Sequence, residues 1–230
     1  MCGRFTLIQT DEVEEFFGLD ENVPIETRYN IAPSQKALTI TAGSEGRRIS
    51  NFMEWGLIPN WNQSSPPRSR LINARAETVD RKRPFREAFE SRRCLVPADG
   101  FFEWRRKSRV KEPYYFAVPD LGLFAFAGLW DFGISSGHRP VQTFTILTTP
   151  PNMRVGEIHN RMPVILDADS QSIWLNEESD QLSLQNLFLP FPEVKMTMTP
   201  VNKAVNKVSV DSPVCIPQAV PRLRTQNLFE

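Results

Sequence analysis

A chain of 230 residues fits one large domain or two small ones and can bury a core without disulfide help. Its 40% hydrophobic and 23% charged residues are those of a soluble globular protein, and no apolar run approaches the length of a membrane helix. The formal net charge is zero, which argues against a uniformly basic nucleic-acid binder, and the opening MCGRFTLIQTDEVEEFF lacks the basic-then-apolar order of a secretion signal, so an intracellular protein is expected.

Taken in chain order, Arg4 to Ile8 alternates weakly and reads as a short strand. A helix follows, with Thr10 or Asp11 as its N-cap, acids in its first turn and Gly18 at its end. Lys36 to Ala42 and Arg47 to Trp55 are rich in strand formers, and Gly43 to Gly46 between them reads as a hairpin turn. A Pro-rich loop spans Pro59 to Pro67, and Pro84 to Glu90 suits a short helix. Strands are predicted over Cys94 to Pro97, Phe101 to Arg105, Tyr114 to Val118, Leu123 to Leu129 and Val141 to Thr148. A short helix near Pro151, a strand over Met162 to Leu166, helices over Ser170 to Leu175 and Gln181 to Leu187, and a strand over Val194 to Thr199 complete the pattern. Repeats and low-complexity linkers are absent. The expected architecture is one α+β domain on a curved, mostly antiparallel, barrel-like sheet with short peripheral helices. It covers residues 1–217, and residues 218–230 form a patternless C-terminal tail.

Charge is segregated along this pattern. Between Arg68 and Lys111 there are 14 Lys+Arg against 6 Asp+Glu, while acids crowd the stretch from Asp11 to Glu26. Such segregation can give a neutral molecule one basic face. Charge alone favours the simpler reading, a few solvated basic loops. The cysteines Cys2, Cys94 and Cys215 are odd in number and scattered, which argues against a disulfide scaffold. With only His138 and His159 besides, no metal site is expected.

Several residues carry potential chemistry. Trimming of Met1 would leave Cys2 with a free α-amine beside its thiol, with ordinary pKa values near ~7.7–8.0 and ~8.5, so both are partly nucleophilic at neutral pH. Such a 1,2-aminothiol condenses with an aldehyde to an imine and closes to a thiazolidine. Gly3, lacking a Cβ, lets a large substrate approach, and Arg4 suits an anion such as phosphate. In Phe101 to Trp104, alternation puts Phe102 and Trp104 on one strand face and Phe101 with Glu103 on the other; Glu103 can shuttle protons from that apolar setting. His159, in Ile158 to Pro163, carries an imidazole, a group that suits acid–base work. Asn73 can hold a terminal amine or thiol, and Arg75, on the same face of an extended segment, can clamp a phosphate. Trp55 and Trp61 flank a Pro-containing loop and can act as stacking platforms for unpaired bases. Each also has an ordinary reading: an edge-strand glutamate facing water, a packed histidine, a turn-capping asparagine, a pair of core tryptophans.

Six ordered stretches bear a joint resemblance. Met1 to Phe5, Arg28 to Pro33, Trp55 to Pro59, Ile72 to Glu77, Gly100 to Trp104 and Ile158 to Pro163 resemble the motifs of the SOS-response-associated peptidase (SRAP) family, also called abasic-site processing proteins. The resemblance runs from Cys2 to Pro217. It implies that Met1 is removed and that Cys2 captures the ring-opened aldehyde of an abasic site in single-stranded DNA as a stable thiazolidine crosslink. It further implies that Asn73 orients Cys2, that Glu103 shuttles protons, and that His159 assists sugar ring opening and crosslink reversal. Arg4, Arg75 and Arg161 are then phosphate contacts, and Trp55, Trp61 and Pro33 pack against bases or hold strands apart. No cofactor, metal or membrane is implied; a monomer in the cytoplasm, at the nucleoid if the source is bacterial, is expected. Two readings compete: a cysteine or N-terminal-nucleophile peptidase or amidohydrolase using Cys2, and a noncatalytic single-stranded DNA binder.

Overall fold

The computed structural model describes residues 2–20, 23–61, 70–107, 110–134 and 139–218. Met1, the greater part of the Pro-rich loop, His138 and the tail beyond residue 218 lie outside these. The described elements are β1 (Phe5–Leu7), α1 (Val13–Phe17), β2 (Arg28–Ile31), β3 (Lys36–Ala42), β4 (Arg48–Trp55), β5 (Asn73–Arg75), α2 (Arg86–Ser91), β6 (Arg93–Ala98), β7 (Gly100–Lys107), β8 (Val110–Ala117), β9 (Phe124–Ile134), β10 (Pro140–Thr149), α3 (Met153–Gly156), β11 (Met162–Pro163), β12 (Ile165–Leu166), α4 (Ala168–Leu175), α5 (Gln181–Asn186) and β13 (Thr197–Pro200).

Strands β10, β4, β3, β6 and β9 pair in that order, and β9 pairs back with β10, closing a five-stranded barrel. Closure removes the exposed edges that an open sheet would leave. The β3–β4 hairpin turns through Glu45 (φ 58°) and Gly46 (φ 74°), where Gly43 N–H donates to the Arg47 carbonyl at 2.8 Å. Strands β9 and β10 run antiparallel from Ile134↔Pro140 to Gly128↔Ile146. Gly128 is needed there, since a Cβ would lie 2.8 Å from Cys94 Sγ. Two pairings break the antiparallel rule: β10 runs parallel to β4 and to β5. A second sheet, in the order β13-β8-β7-β1-β2, packs beside the barrel.

The core lies between them and has an aromatic centre. Phe5, Trp55, Phe101, Phe116, Phe124 and Phe126 are fully buried. The Phe126 ring sits 5.7 Å from Phe5, 6.1 Å from Phe101 and 5.5 Å from Phe124. Burying each such side chain stabilises the fold by about 1.5–3 kcal/mol. On the far face of β7, Phe102 and Tyr115 pack with Val205 and Cys215 of the C-terminal segment, so β7 is buried on both faces.

Several expectations need adjustment. Gly18 does close α1 in the left-handed region (φ 60°), but the preceding turn, Thr10–Glu12, is a 3₁₀ turn with no side-chain cap at either Thr10 or Asp11. The single strand expected over Met162 to Leu166 is two short ones, because Val164 N–H bonds across to Leu147 while its carbonyl accepts from Ala127. Glu193–Lys195 forms a 3₁₀ turn, so the last strand begins only at Thr197. Strand β2 was not foreseen; its ladder lies against β1. Among the described residues no helix is long and apolar enough to cross a membrane.

Candidate active site

The site forms where β1, β5, β7 and the loop before β11 meet. β1 is clamped between β2 and β7, with Phe5 opposite Ile31 on one side and Phe101 on the other. The ladder continues past its formal end, Phe102 N–H donating to the Arg4 carbonyl at 3.0 Å. That register, extended by two residues, brings Glu103 level with Gly3. Cys2 is therefore carried into the interior and is 0% exposed.

Asn73 reaches Cys2 from the opposite side. β5 runs parallel to β10 with Asn73 registered on Ile146, and Asn73 Nδ2 donates to the Cys2 carbonyl at 2.9 Å. Its Oδ1 is buried without a hydrogen-bond partner among the described residues. Glu103 is 4% exposed, with Oε1 4.0 Å from His159 Nδ1. Asn152 caps α3 by accepting from Val155 N–H at 2.9 Å, and His159 N–H then donates to the Val155 carbonyl at 2.9 Å, which fixes the histidine just past the helix. Burial, and next the Glu103 charge, push the Cys2 thiol far above its ordinary pKa. While Met1 is attached, the Cys2 nitrogen is an amide and that thiol is neutral. The four expected catalytic side chains thus converge.

The expected DNA contacts divide. Trp55 is corrected: it is 0% exposed, so no base can stack on it. Its indole N–H donates to the Ile72 carbonyl at 2.9 Å and its ring lies edge-on to Phe5 at 5.2 Å, which makes it the floor beneath β1. The cause is the parallel pairing of Trp55 with Phe144, which faces it into the core. Trp61, six residues on, is 44% exposed, with the Arg83 guanidinium 4.3 Å from its ring centroid. Arg75 is exposed and Pro33 half-buried. Arg4 turns inward: Nη1 donates to Asn30 Oδ1 at 2.8 Å and to the Val205 carbonyl at 2.7 Å. Arg161 is paired with Glu77, its side chain 12% exposed.

Asn30 escaped the reading of single residues. Its buried amide donates to three carbonyls of the C-terminal segment, Val205 at 3.3 Å, Lys207 at 3.1 Å and Val210 at 2.7 Å. Asp99 was missed as well; it accepts from Thr6 Oγ1 at 2.5 Å, from Gln9 N–H at 3.0 Å and from Ile8 N–H, pinning the end of β1. The sole sequence signal for Asn30 was its place inside the Arg28 to Pro33 stretch. No group of three or more potential metal ligands exists among the described residues.

The family model described as SOS response associated peptidase (SRAP) matches residues 1–208. The chain belongs to this family. It is 40% identical over 222 residues to the abasic site processing protein YoqW of Bacillus subtilis, covering 94% of this chain and 99% of that protein. It is 40% identical over 212 residues to abasic site processing protein YoaM of the same organism, covering 90% of this chain and 93% of that one. A crystal structure of a Bacteroides thetaiotaomicron protein superposes with a TM-score of 0.81 at 28% identity, covering 95% of this chain and all of that one. The barrel with its flanking sheet is accordingly an SRAP fold, and the six stretches read from the sequence fall on it as follows: five border the seam around Cys2, and Trp55 to Pro59 underlies it.

Proposed function

We propose that this SRAP protein processes abasic sites, capturing the open-chain aldehyde of the lesion in single-stranded DNA through Cys2 once Met1 is removed. The observation that carries the reading is the convergence of Asn73, Glu103 and His159 on residue 2. The name shared by YoqW and YoaM, abasic site processing protein, supports the same reading.

The order of steps follows from the site. The thiol is held neutral by burial, so the freed α-amine attacks the aldehyde carbon first. Loss of water gives an imine. The Cys2 sulfur then adds to the imine carbon and its proton passes to nitrogen, closing the thiazolidine with one water released overall. Ring closure is intramolecular and gains the rate advantage of a tethered nucleophile. Glu103 moves the protons of imine formation, and His159 serves opening of the sugar ring and reversal of the crosslink. Asn73 holds the Cys2 carbonyl, and its unpartnered Oδ1 is an acceptor for the new amine. Arg75 and Trp61 are the exposed DNA contacts. Arg4, with its charge directed at Asn30 and Val205, fixes β1.

Incubation with an oligonucleotide bearing one abasic site, followed by a denaturing gel, tests this. A shifted band that survives denaturation and vanishes in Cys2→Ala is expected. A complex seen only under native conditions, with no covalent band in wild type, would mark a simple binder; turnover of an amide substrate instead would mark an N-terminal-nucleophile hydrolase.

A further inference from the structure

Asp131 takes no part in the chemistry above, yet it is a carboxylate only 3% exposed. A buried charge is costly unless it is paired and hydrogen-bonded. Arg92 Nε lies 3.2 Å from its Oδ1, which also accepts from Phe132 N–H at 2.8 Å. The second oxygen, Oδ2, accepts from Asn60 N–H at 3.0 Å. Thr143 stands opposite Asp131 on β10 and is fully buried. Its Oγ1 accepts from Ile58 N–H at 2.9 Å. Gly133, the next β9 residue on the same face, leaves room for the chain: a Cβ there would lie 2.4 Å from Ile58 Cβ and 2.8 Å from the Ile58 carbonyl oxygen.

These contacts fasten residues 58–60 across the β9–β10 ribbon. The side chains of one cross-strand pair take alternate N–H groups of the stretch, Thr143 that of Ile58 and Asp131 that of Asn60. Trp61 follows at once and is 44% exposed. Its Cα lies about 3.8 Å from that of Asn60, so the tether sets where the indole leaves the barrel. The Arg83 guanidinium, 4.3 Å from the ring centroid, steadies the far end of the side chain. A binding residue on a loop binds more tightly when the loop is already ordered in the free protein.

We propose that Asp131 and Thr143 are positioning residues that hold Trp61 ready to stack on an unpaired base of single-stranded DNA. The proposal rests on the reading of Trp61 as an exposed DNA contact. Arg92 acts one step further back, by keeping the Asp131 carboxylate aimed at Asn60. β10 then serves two places at once: its Ile146 registers Asn73 beside Cys2, and its Thr143 anchors the approach to Trp61.

The test uses Asp131→Ala and Thr143→Val in full-length protein labelled with fluorotryptophan, each alone and combined with Trp61→Ala. Binding of a single strand without a lesion is read by fluorescence anisotropy, so the result does not depend on Cys2. The fluorine resonance of Trp61 is the one lost in Trp61→Ala. Asp131→Ala is expected to weaken binding about tenfold, the scale of one lost stacking contact, and Thr143→Val about threefold. In both, the Trp61 resonance should shift or broaden while those of the core residues Trp55 and Trp174 hold. With Trp61→Ala already present, neither change should weaken binding further. An unmoved Trp61 resonance, an unchanged affinity, or a loss that persists in full without Trp61 overturns the proposal. Should Asp131→Ala fail to fold by circular dichroism, Thr143→Val decides on the same criteria. If Trp61→Ala binds as tightly as wild type, the reading of Trp61 as a DNA contact falls and the proposal with it. An unmoved resonance where Trp61→Ala does weaken binding defeats the tether alone.

Discussion

The barrel and the seam beside it are built by opposite means. In the barrel, contact is made by strand ladders: β3 turns into β4 and β9 into β10, each through a long antiparallel ladder, and β6 and the parallel β10–β4 pairing join the two hairpins. Most of its buried side chains are apolar, with a few threonines such as Thr39, Thr143 and Thr145 among them. At the seam, single polar contacts join distant residues, Asn73 to Cys2 across 71 positions and Arg4 to Val205 across 201. Redundant packing gives stability, whereas the reactive geometry depends on a few bonds with no substitute.

The sharpest way to break this contrast is a pair of cysteines, both 0% exposed. Cys2→Ala should abolish the covalent DNA product with little change in melting temperature. Cys94→Ala, on β6 against Gly128, should leave the product intact and cost about 1–2 kcal/mol in denaturant unfolding. Equal effects of the two would show that barrel and seam are not separable. The next largest effect divides two tryptophans. Trp55→Ala should lower unfolding free energy by about 3–5 kcal/mol, read by denaturant titration. Trp61→Ala should leave stability alone and weaken single-stranded DNA binding by about 1–3 kcal/mol, read by fluorescence anisotropy. Glu103→Gln tests the seam by itself: crosslinking should slow by about a hundredfold while affinity for intact DNA holds. An unchanged rate would remove Glu103 from the reaction.

The smallest effect is in pH. The folded Glu77 carboxyl lies below its ordinary range, so the stability its ion pair adds is fully present above the unfolded value and is lost as pH falls through the folded one. Thermal unfolding followed into acid should show Glu77→Gln to be less acid-sensitive than wild type. Because Glu77 is 45% exposed, high salt should shrink the difference.

Much of the barrel was legible because its signals are local. The Gly43 to Gly46 turn and the flanking strand formers fixed one hairpin, and alternation in Phe101 to Trp104 told the two faces of β7 apart. The parallel pairings of β10 with β4 and β5 had no such signal, since nothing in Trp55 or Asn73 announces a partner beyond residue 140. That gap explains the error on Trp55, whose burial is decided by Phe144. The side chains gathered around Cys2 were named from the six stretches; Asn30 lies in one of them, but its part was not legible, because a side-chain amide serving three carbonyls depends on how the far end of the chain folds back. Arg4 and Arg161 were read as phosphate contacts; the acceptors they meet in the fold, Asn30, Val205 and Glu77, are supplied by tertiary structure and have no local signal.

The clasp between Arg4, Asn30 and the carbonyls of residues 205–210 also sets a schedule. Arg4 leaves the ribosome 201 residues ahead of Val205, whose carbonyl it grips. A nascent chain can pair β3 with β4 while Arg4 still lacks that acceptor. The grip on β1 arrives only once residues 205–210 have been made.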